Sequence, residues 1–268
     1  MMQVMAYRWI SFTSDYGLHD GFVAACHGVI AGIAPDVRVL DVTHLVPPQQ
    51  VRSGAAVLAQ TVPSLPKAVH LAVVDPGVGT ERRGIVVVAT HGILVGPDNG
   101  LLLPAAEALG GVYAAYVIDV RTPTSATFHG RDIFAPVAAK LALGAHPGSF
   151  GPAIRDLVRL PEPLIAAFPG KLVSDVLTVD HFGNVQLAAA PADLELTGLT
   201  GEVTVHSEHV AVSATIGRTF ADVPRGANLV YTDSAGKLAV AVNGGSAASV
   251  LRIGPTEECT ITASPTAS

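Results

Sequence analysis

Charge is scarce in this 268-residue chain: Asp, Glu, Lys and Arg make up 14% of it, against roughly a quarter in an average globular protein. A chain so poor in charge and 49% apolar is not a disordered tail, and it is expected to hide surface in a subunit interface. Basic charge is scarcer than acidic, with 16 Lys and Arg against 22 Asp and Glu and a net charge of −6. That balance excludes the basic footprint of a nucleic-acid protein. No basic cluster or basic amphipathic helix occurs, so a membrane surface is no expected partner either. Long apolar runs are missing: none approaches the roughly 18 residues of a spanning helix, and MMQVMAYRWISFTSDYG holds no long signal core. There are only two cysteines, Cys26 and Cys259, without CxxC or metal-like spacing. Both read as buried small hydrophobes. The cytoplasm is the expected address.

Several fingerprints are absent as well. No GxGxxG follows the first strand, and no GxxxxGK[ST], GxSxG or HExxH occurs. The usual dinucleotide, P-loop, serine-hydrolase and zincin readings therefore have no support.

What is present is a regular alternation. Trp9–Thr13 reads as a strand, 21–34 as a helix with Phe22, Ala25, Val29 and Ile33 on one stripe, and Val37–Val42 as a strand. A helix over 49–60, strands over 69–74 and 84–89, and the short run Ile93–Val95 follow. Helix 101–109, strand Val112–Val120 and helix 132–143 complete the series. Strands alternating with helices predict an α/β domain with a mostly parallel sheet covered on both faces. After about Gly144 the texture changes. HPGSFGP and RLPEPLIAAFPG read as linker, and from Leu172 onward strand-and-turn segments predict an all-β, barrel-like second domain. The expected domains are 1–168 and 169–268.

Polar residues collect just past the strand ends: Asp15, Asp75, Asp98 and Asn99. In open α/β sheets that edge is where ligands bind. In HLAVVDPGVGTERRGIVVVAT two β-branched runs flank a loop that carries Asp75, Pro76, Gly77, Gly79, Arg82 and Arg83. A turn needing only solubility has no use for a carboxylate and guanidinium groups on a stiff, close-approaching backbone. In TFHGRDIFAP, His129 and Gly130 sit in a loop, and Asp132 suits the first turn of the following helix. Asp15, Asp20, Asp75, Asp98 and His129 together would also suit a divalent metal. His206 and His209 lie in TVHSEHVAV, which alternates like an exposed hairpin. Local reading alone stops at a ligand site along the strand ends.

Taken in order, TSDYGLHDGFV, VVDPGVGTERRG, GPDNGLL, TFHGRDIFAP, DHFGNVQL and SAGKLAVAVNGGSAA resemble the motifs of the S-adenosylmethionine hydroxide adenosyltransferases. These are hydrolytic relatives of the fluorinating and chlorinating S-adenosylmethionine enzymes, and the resemblance runs over nearly the whole chain. It implies a cofactor-free, metal-free hydrolase that converts S-adenosyl-L-methionine and water to adenosine and L-methionine. It further implies a homotrimer, with ligand held between the first domain of one subunit and the second domain of its neighbour.

The family's Asp-Arg-His set falls on Asp75, Arg82 and His129, the family spacing selecting Arg82 over Arg83. By the same resemblance Asp15 grips the ribose hydroxyls, and Asp20, Gly21 and Phe22 lie near the methionine end. Asp180 meets the ammonium, and Ser234 and Ala235 the carboxylate. Asn184, with Phe182 beside it, reads adenine, and Val242, Asn243 and Gly244 offer backbone groups to the base, unless they are simply a strand end and turn. The halogenating relatives carry tyrosine where this chain has Asp75. The fluorinating enzyme has tyrosine-serine in place of His129-Gly130 and arginine in place of Ala235. These departures favour water over halide. A halide-dependent adenosyl transferase, a metal-dependent Asp/His hydrolase and a non-catalytic sensor remain the alternatives.

Overall fold

Strands whose alternate residues feed two different cores organise the first half of the chain. The computed structural model describes residues 6–119 and 125–264, and the chain divides between Leu160 and Pro161 into two units. The first unit contains β1 (Trp9–Ser14), α1 (Phe22–Ile33), β2 (Arg38–Thr43), α2 (Val51–Thr61), β3 (Val69–Val73), β4 (Gly84–Ala89) and β5 (Gly92–Pro97). It continues with α3 (Leu103–Ala108), β6 (Val112–Val117), α4 (Ala135–Ala142) and the short β7 (Ala153–Ile154). The strand expected over Val112–Val120 ends in its last residue outside the described residues.

In β3, Val69, Leu71 and Val73 join one core with Ile10, Phe12, Cys26, Ile30 and the inner face of α4. Ala72 joins the opposite core, with Ala55 and Leu58 of α2 and Ala105 and Ala106 of α3. Period-two alternation with both faces apolar is what a strand buried between two helical layers requires. The sheet order is β2-β1-β3-β5-β4-β6-β7. β2, β1, β3 and β5 are mutually parallel, β4 runs against both β5 and β6, and β7 runs against β6.

The strand order also decides how the charged loop is carried. β3 and β4 are not partners, because β5 lies between them. Gly84 at the start of β4 pairs with Pro97 at the end of β5. Arg82 and Arg83, just ahead of β4, therefore arrive at the same sheet edge as Asp75, just past β3. α4 is preceded by a π-helical turn over Gly130–Phe134. Pro136 follows it and has no N–H to close a tighter turn.

The second unit contains β8 (Ile165–Phe168), β9 (Lys171–Val179), β10 (Val185–Leu187), α5 (Pro191–Thr197), β11 (Glu202–His206) and β12 (Ala211–Ile216). It ends with β13 (Asn228–Thr232), β14 (Leu238–Val242), α6 (Ala247–Leu251) and β15 (Glu258–Ala263). The order β10-β14-β13-β12-β11-β15-β9 returns on itself through the β9–β10 pairing, closing a seven-stranded barrel with β8 added outside β9. Closure leaves the ring without a free edge. Its interior holds Leu172, Val176, Val203, Val205, Val240 and Cys259. Part of the segment read as linker thus belongs to the second sheet. Two short helices also interrupt the strands. α5 is framed by Pro191 in its first turn and Gly198 in the left-handed conformation at its end, the usual asymmetry of helix termini.

Both cysteines are buried and unpaired, as their spacing implied. Among the described residues no helix is long and apolar enough to cross a membrane.

His70 is the second residue of β3, 1% exposed, with Nδ1 2.7 Å from Ser11 Oγ on β1. Burial lowers its pKa to about 4, because a charged imidazole cannot be hydrated there. The unfolded chain therefore binds a proton on this residue between about pH 6.5 and 4 while the folded chain does not. Stability contributed by the neutral ring is complete above the unfolded value and is lost as pH falls through the folded one. Denaturant titrations should show a loss of about 3 kcal/mol from this group between pH 7 and 4. The loss should shrink in His70→Asn, whose side chain does not titrate.

Candidate active site

Asp75 and Arg82, from one loop, and His129, 47 residues beyond Arg82, meet at the sheet edge. Arg82 Nε donates to Asp75 Oδ1 at 3.0 Å, and Nη2 donates to Asp75 Oδ2. The same Nη2 lies 3.1 Å from His129 Nδ1. The Asp75 and Arg82 side chains are only 6% and 9% exposed, and the guanidinium stacks over Phe134 at 5.3 Å. Burial raises the Asp75 pKa, and the Arg82 charge and hydrogen bonds pull the other way, with smaller help from His129 and the Gly77 N–H. His129 is lowered by burial first and by Arg82 second, against the opposing carboxylates of Asp75 and Asp132. A guanidinium has no acceptor. His129 Nδ1 must therefore accept, and a neutral ring carries its proton on Nε2.

The loop backbone makes this approach possible. Val78 N donates to Asp75 O at 3.3 Å and Thr80 N to Gly77 O at 3.2 Å, winding the loop tightly. Gly79 has φ +78°, and a Cβ there would lie 2.8 Å from Ala126 O. Only glycine lets the two loops approach so closely.

Adjacent arginines diverge. Arg83 turns to Asp98, with Nε 2.9 Å from Oδ2, and to Asp156, with Nη1 3.0 Å from Oδ2. Asp98 also accepts from Val158 N at 3.0 Å, so both of its oxygens are committed. Asp15 accepts from Gln49 N at 2.8 Å. Asp20 is exposed, and Gly21 stands just ahead of α1. Among the described residues the one group of His, Cys, Asp and Glu close enough to share an ion is His27, Asp41 and His44. None of the five residues of the metal alternative belongs to it, and Asp75 and Asp98 bind arginines instead. His206 bonds Thr262 Oγ1 at 3.0 Å. Asp132 accepts from Arg131 and from Ser125 N, which lowers its pKa.

Tyr16 is the residue in this cluster that motif reading passed over. Its ring meets Phe22 at 5.9 Å and Phe128 at 5.8 Å, and Phe22 meets Phe128 at 5.2 Å. Burial, then Cys26, Asp15 and Asp75, push its phenol pKa far up, so it stays protonated. A Cβ at Gly130 would lie 1.9 Å from Tyr16 Oη.

The second unit holds a separate cavity of about 630 Å³, lined by Asp180, Phe182, Asn184, Phe220, Tyr231, Val242, Gly244 and Gly245. Five of these were expected from sequence; Gly245 and the pair Phe220 and Tyr231, whose rings lie 5.3 Å apart, were not. Asp180 accepts from the N–H groups of Phe182 and Asn184 and from Asn184 Nδ2, at 2.9, 2.9 and 2.7 Å. Phe182 is 75% exposed. Ser234, Ala235 and Asn243 do not line the cavity. The Ala235 N–H goes to Asp233 Oδ1 at 2.9 Å. Asn243 spends its side chain on the Phe220 and Val223 carbonyls, and its backbone on Ala227 and Gly226.

Family models for the SAM hydroxide adenosyltransferase N-terminal and C-terminal domains match residues 10–151 and 174–260. The chain belongs to the SAM hydroxide adenosyltransferase family. A relative from Salinispora arenicola (strain CNS-205), named (R)-S-adenosyl-L-methionine hydrolase, is 60% identical over 95% of this chain and 98% of its own. A fluorinase from Actinoplanes sp. (strain N902-109) is 29% identical over 87% of this chain and 90% of its own. A crystal structure of an uncharacterized conserved protein from Thermotoga maritima superposes with a TM-score of 0.86 at 36% identity, over 94% of this chain and 99% of that one.

The close approach of Tyr16 to Gly130 makes a direct prediction. Gly130→Ala should destabilise the protein by about 1–3 kcal/mol through overpacking. Tyr16→Phe should recover part of that loss, because the nearest ring carbon would then lie 3.0 Å from the new methyl, still a tight approach. Denaturant unfolding of the two single variants and the double variant measures the coupling; additive losses would contradict the contact.

Proposed function

We propose that this chain hydrolyses S-adenosyl-L-methionine to adenosine and L-methionine, with Asp75, Arg82 and His129 handling the attacking water. The observation that carries this reading is the buried Asp75–Arg82 fork with His129 against its outer edge. Water attacks the ribose C5′, and the C5′–S bond breaks with its electron pair left on sulfur. The sulfonium becomes the neutral thioether of methionine, so no acid is needed for the leaving group. The difficulty is the nucleophile. Asp75 takes the proton, because the His129 Nδ1 lone pair already faces a guanidinium that opposes protonation of the ring. The His129 Nε2–H is left as a donor to orient the water or the ribose. General-base help contributes on the order of 10²–10⁴-fold. Holding water in line with the C–S bond contributes more, about 7–11 kcal/mol.

Asp15, Asp20, Gly21 and Phe22 are proposed for the ribose and methionine parts. Asp180, Phe182 and Asn184 are proposed for the ammonium and adenine, with Phe220 and Tyr231 added as aromatic walls. The Ala235 N–H, already donated to Asp233, makes Ser234 the stronger carboxylate donor of that pair. We propose a cytoplasmic homotrimer in which each site combines the first unit of one subunit with the second unit of another. Water is favoured over halide because the Tyr16 hydroxyl occupies the space a side chain at position 130 would need.

The test supplies the two sulfonium epimers of S-adenosyl-L-methionine separately, since the relatives' name specifies the R form, and follows adenosine by chromatography. Adenosine from the R epimer, undiminished by chelation and without a 5′-chloro product in chloride, is expected. No adenosine from either epimer sinks the proposal. Asp75→Asn should lose about 10²–10⁴-fold in kcat. Because burial raises the Asp75 pKa, activity should fall with decreasing pH through a value above that of an ordinary aspartate. That acid limb should survive in His129→Gln and vanish in Asp75→Asn. A limb lost with His129 instead would reassign the proton.

A further inference from the structure

On the opposite side of β1 from Asp75's strand, β2 and α1 bring together three side chains that the proposed reaction does not use. His27 Nε2, from α1, lies 2.9 Å from Asp41 Oδ1 on β2. His44 Nε2, just past β2, lies 3.0 Å from the same oxygen. We infer that His27, Asp41 and His44 form a binding site for a divalent transition-metal ion of the zinc class.

Three observations carry this. One ligand atom from each residue falls within 4.8 Å of the other two. Tetrahedral zinc with bonds of about 2.0–2.1 Å sets its ligands roughly 3.3 Å apart, so small shifts admit an ion. Second, His44 is 4% exposed, yet its Nε2 makes no hydrogen bond. The 3.0 Å approach to Asp41 is too poorly aligned to count as one. A buried ring nitrogen aimed past a carboxylate oxygen is costly to leave unsatisfied and well placed to coordinate. Third, the other ring nitrogen is already braced, with His44 Nδ1 2.7 Å from Ser14 Oγ. Coordination through Nε2 puts the proton on Nδ1, where Ser14 accepts it, the outer hydrogen bond that metal-bound histidines commonly have. Phe12 packs edge-on against His44 at 4.7 Å and fixes the ring further.

The His27 and Asp41 side chains are 35% and 43% exposed, so solvent can supply the fourth ligand. Two imidazoles and one carboxylate with an open position suit zinc and neighbouring divalent ions. The ion would tie α1 to the edge strand β2. It would sit beneath the turn in which Gly17 N donates to His44 O at 2.7 Å and which carries Asp15. The inference stands independently of the proposed hydrolysis.

The test is calorimetric titration of Zn²⁺ into the chelated, untagged full chain, with thermal unfolding alongside. One equivalent should bind and raise Tm. His27→Ala and Asp41→Ala, both at partly exposed positions, should fold normally without metal and should each weaken Zn²⁺ binding by at least about tenfold. His91→Ala, at an exposed site elsewhere, should leave binding unchanged. Absence of a one-equivalent event, or binding that survives both ligand variants, overturns the site.

Discussion

A buried carboxylate gripped by a buried guanidinium governs the first unit's functional edge. Neither group is tolerable there alone, since removing one partner of such a pair strands a charge at a cost of about 3–5 kcal/mol. The two-point fork from Arg82 Nε and Nη2 fixes the Asp75 carboxyl plane as well as its charge. Lysine, a single point charge on a flexible stem, would not do this. The same nitrogen fixes the His129 tautomer. One side chain thus sets the proton inventory of two others, and on the proposed reaction it decides which of them is the base.

That arrangement explains the backbone around it. An antiparallel β4 is needed to return Arg82 to the edge that Asp75 leaves, and glycine at 79 is needed for the loop to clear Ala126. In a chain with few charges, most of those near the edge are committed. Arg83 fastens Asp98 and Asp156, Asp132 holds Ser125 N, and Asp15 holds Gln49 N. The Asp15 bond supports Gln49 at φ 65°, a left-handed backbone that a non-glycine residue adopts at some cost.

Hydrophobic period made most of the first unit legible. β1, α1, β2, α2 and β3 begin and end within about two residues of their expected limits, as far as such boundaries are defined. Strand order was not legible, because the insertion of β5 between β3 and β4 is a long-range choice with no local mark. The α5 helix did have a mark, Pro191 and Gly198 around PADLELTG, but it is too short for helical period to emerge. In the barrel, motif spacing located Asp180, Phe182 and Asn184 beside the cavity. It could not say that Asn243 is occupied in holding Phe220 and Val223, or that Phe220 and Tyr231 complete the wall. Spacing locates a residue on an element; it does not reveal which hydrogen bond has already claimed its donor.

Tyr16 shows where that limit matters for chemistry. The fluorinating enzymes, by the resemblance, carry tyrosine-serine where this chain has His129-Gly130, and their serine contacts the halide. Here a phenolic oxygen from a different loop takes the volume that such a side chain would enter. Its own position is fixed by Phe12, Phe22 and Phe128 packed around the ring. A single Gly→Ser exchange would therefore drive the new side chain against the Tyr16 hydroxyl, and the aromatic cluster would have to give way for it to be accommodated. On the proposed reaction, the choice of nucleophile depends on the packing behind position 130 as much as on the residue at it.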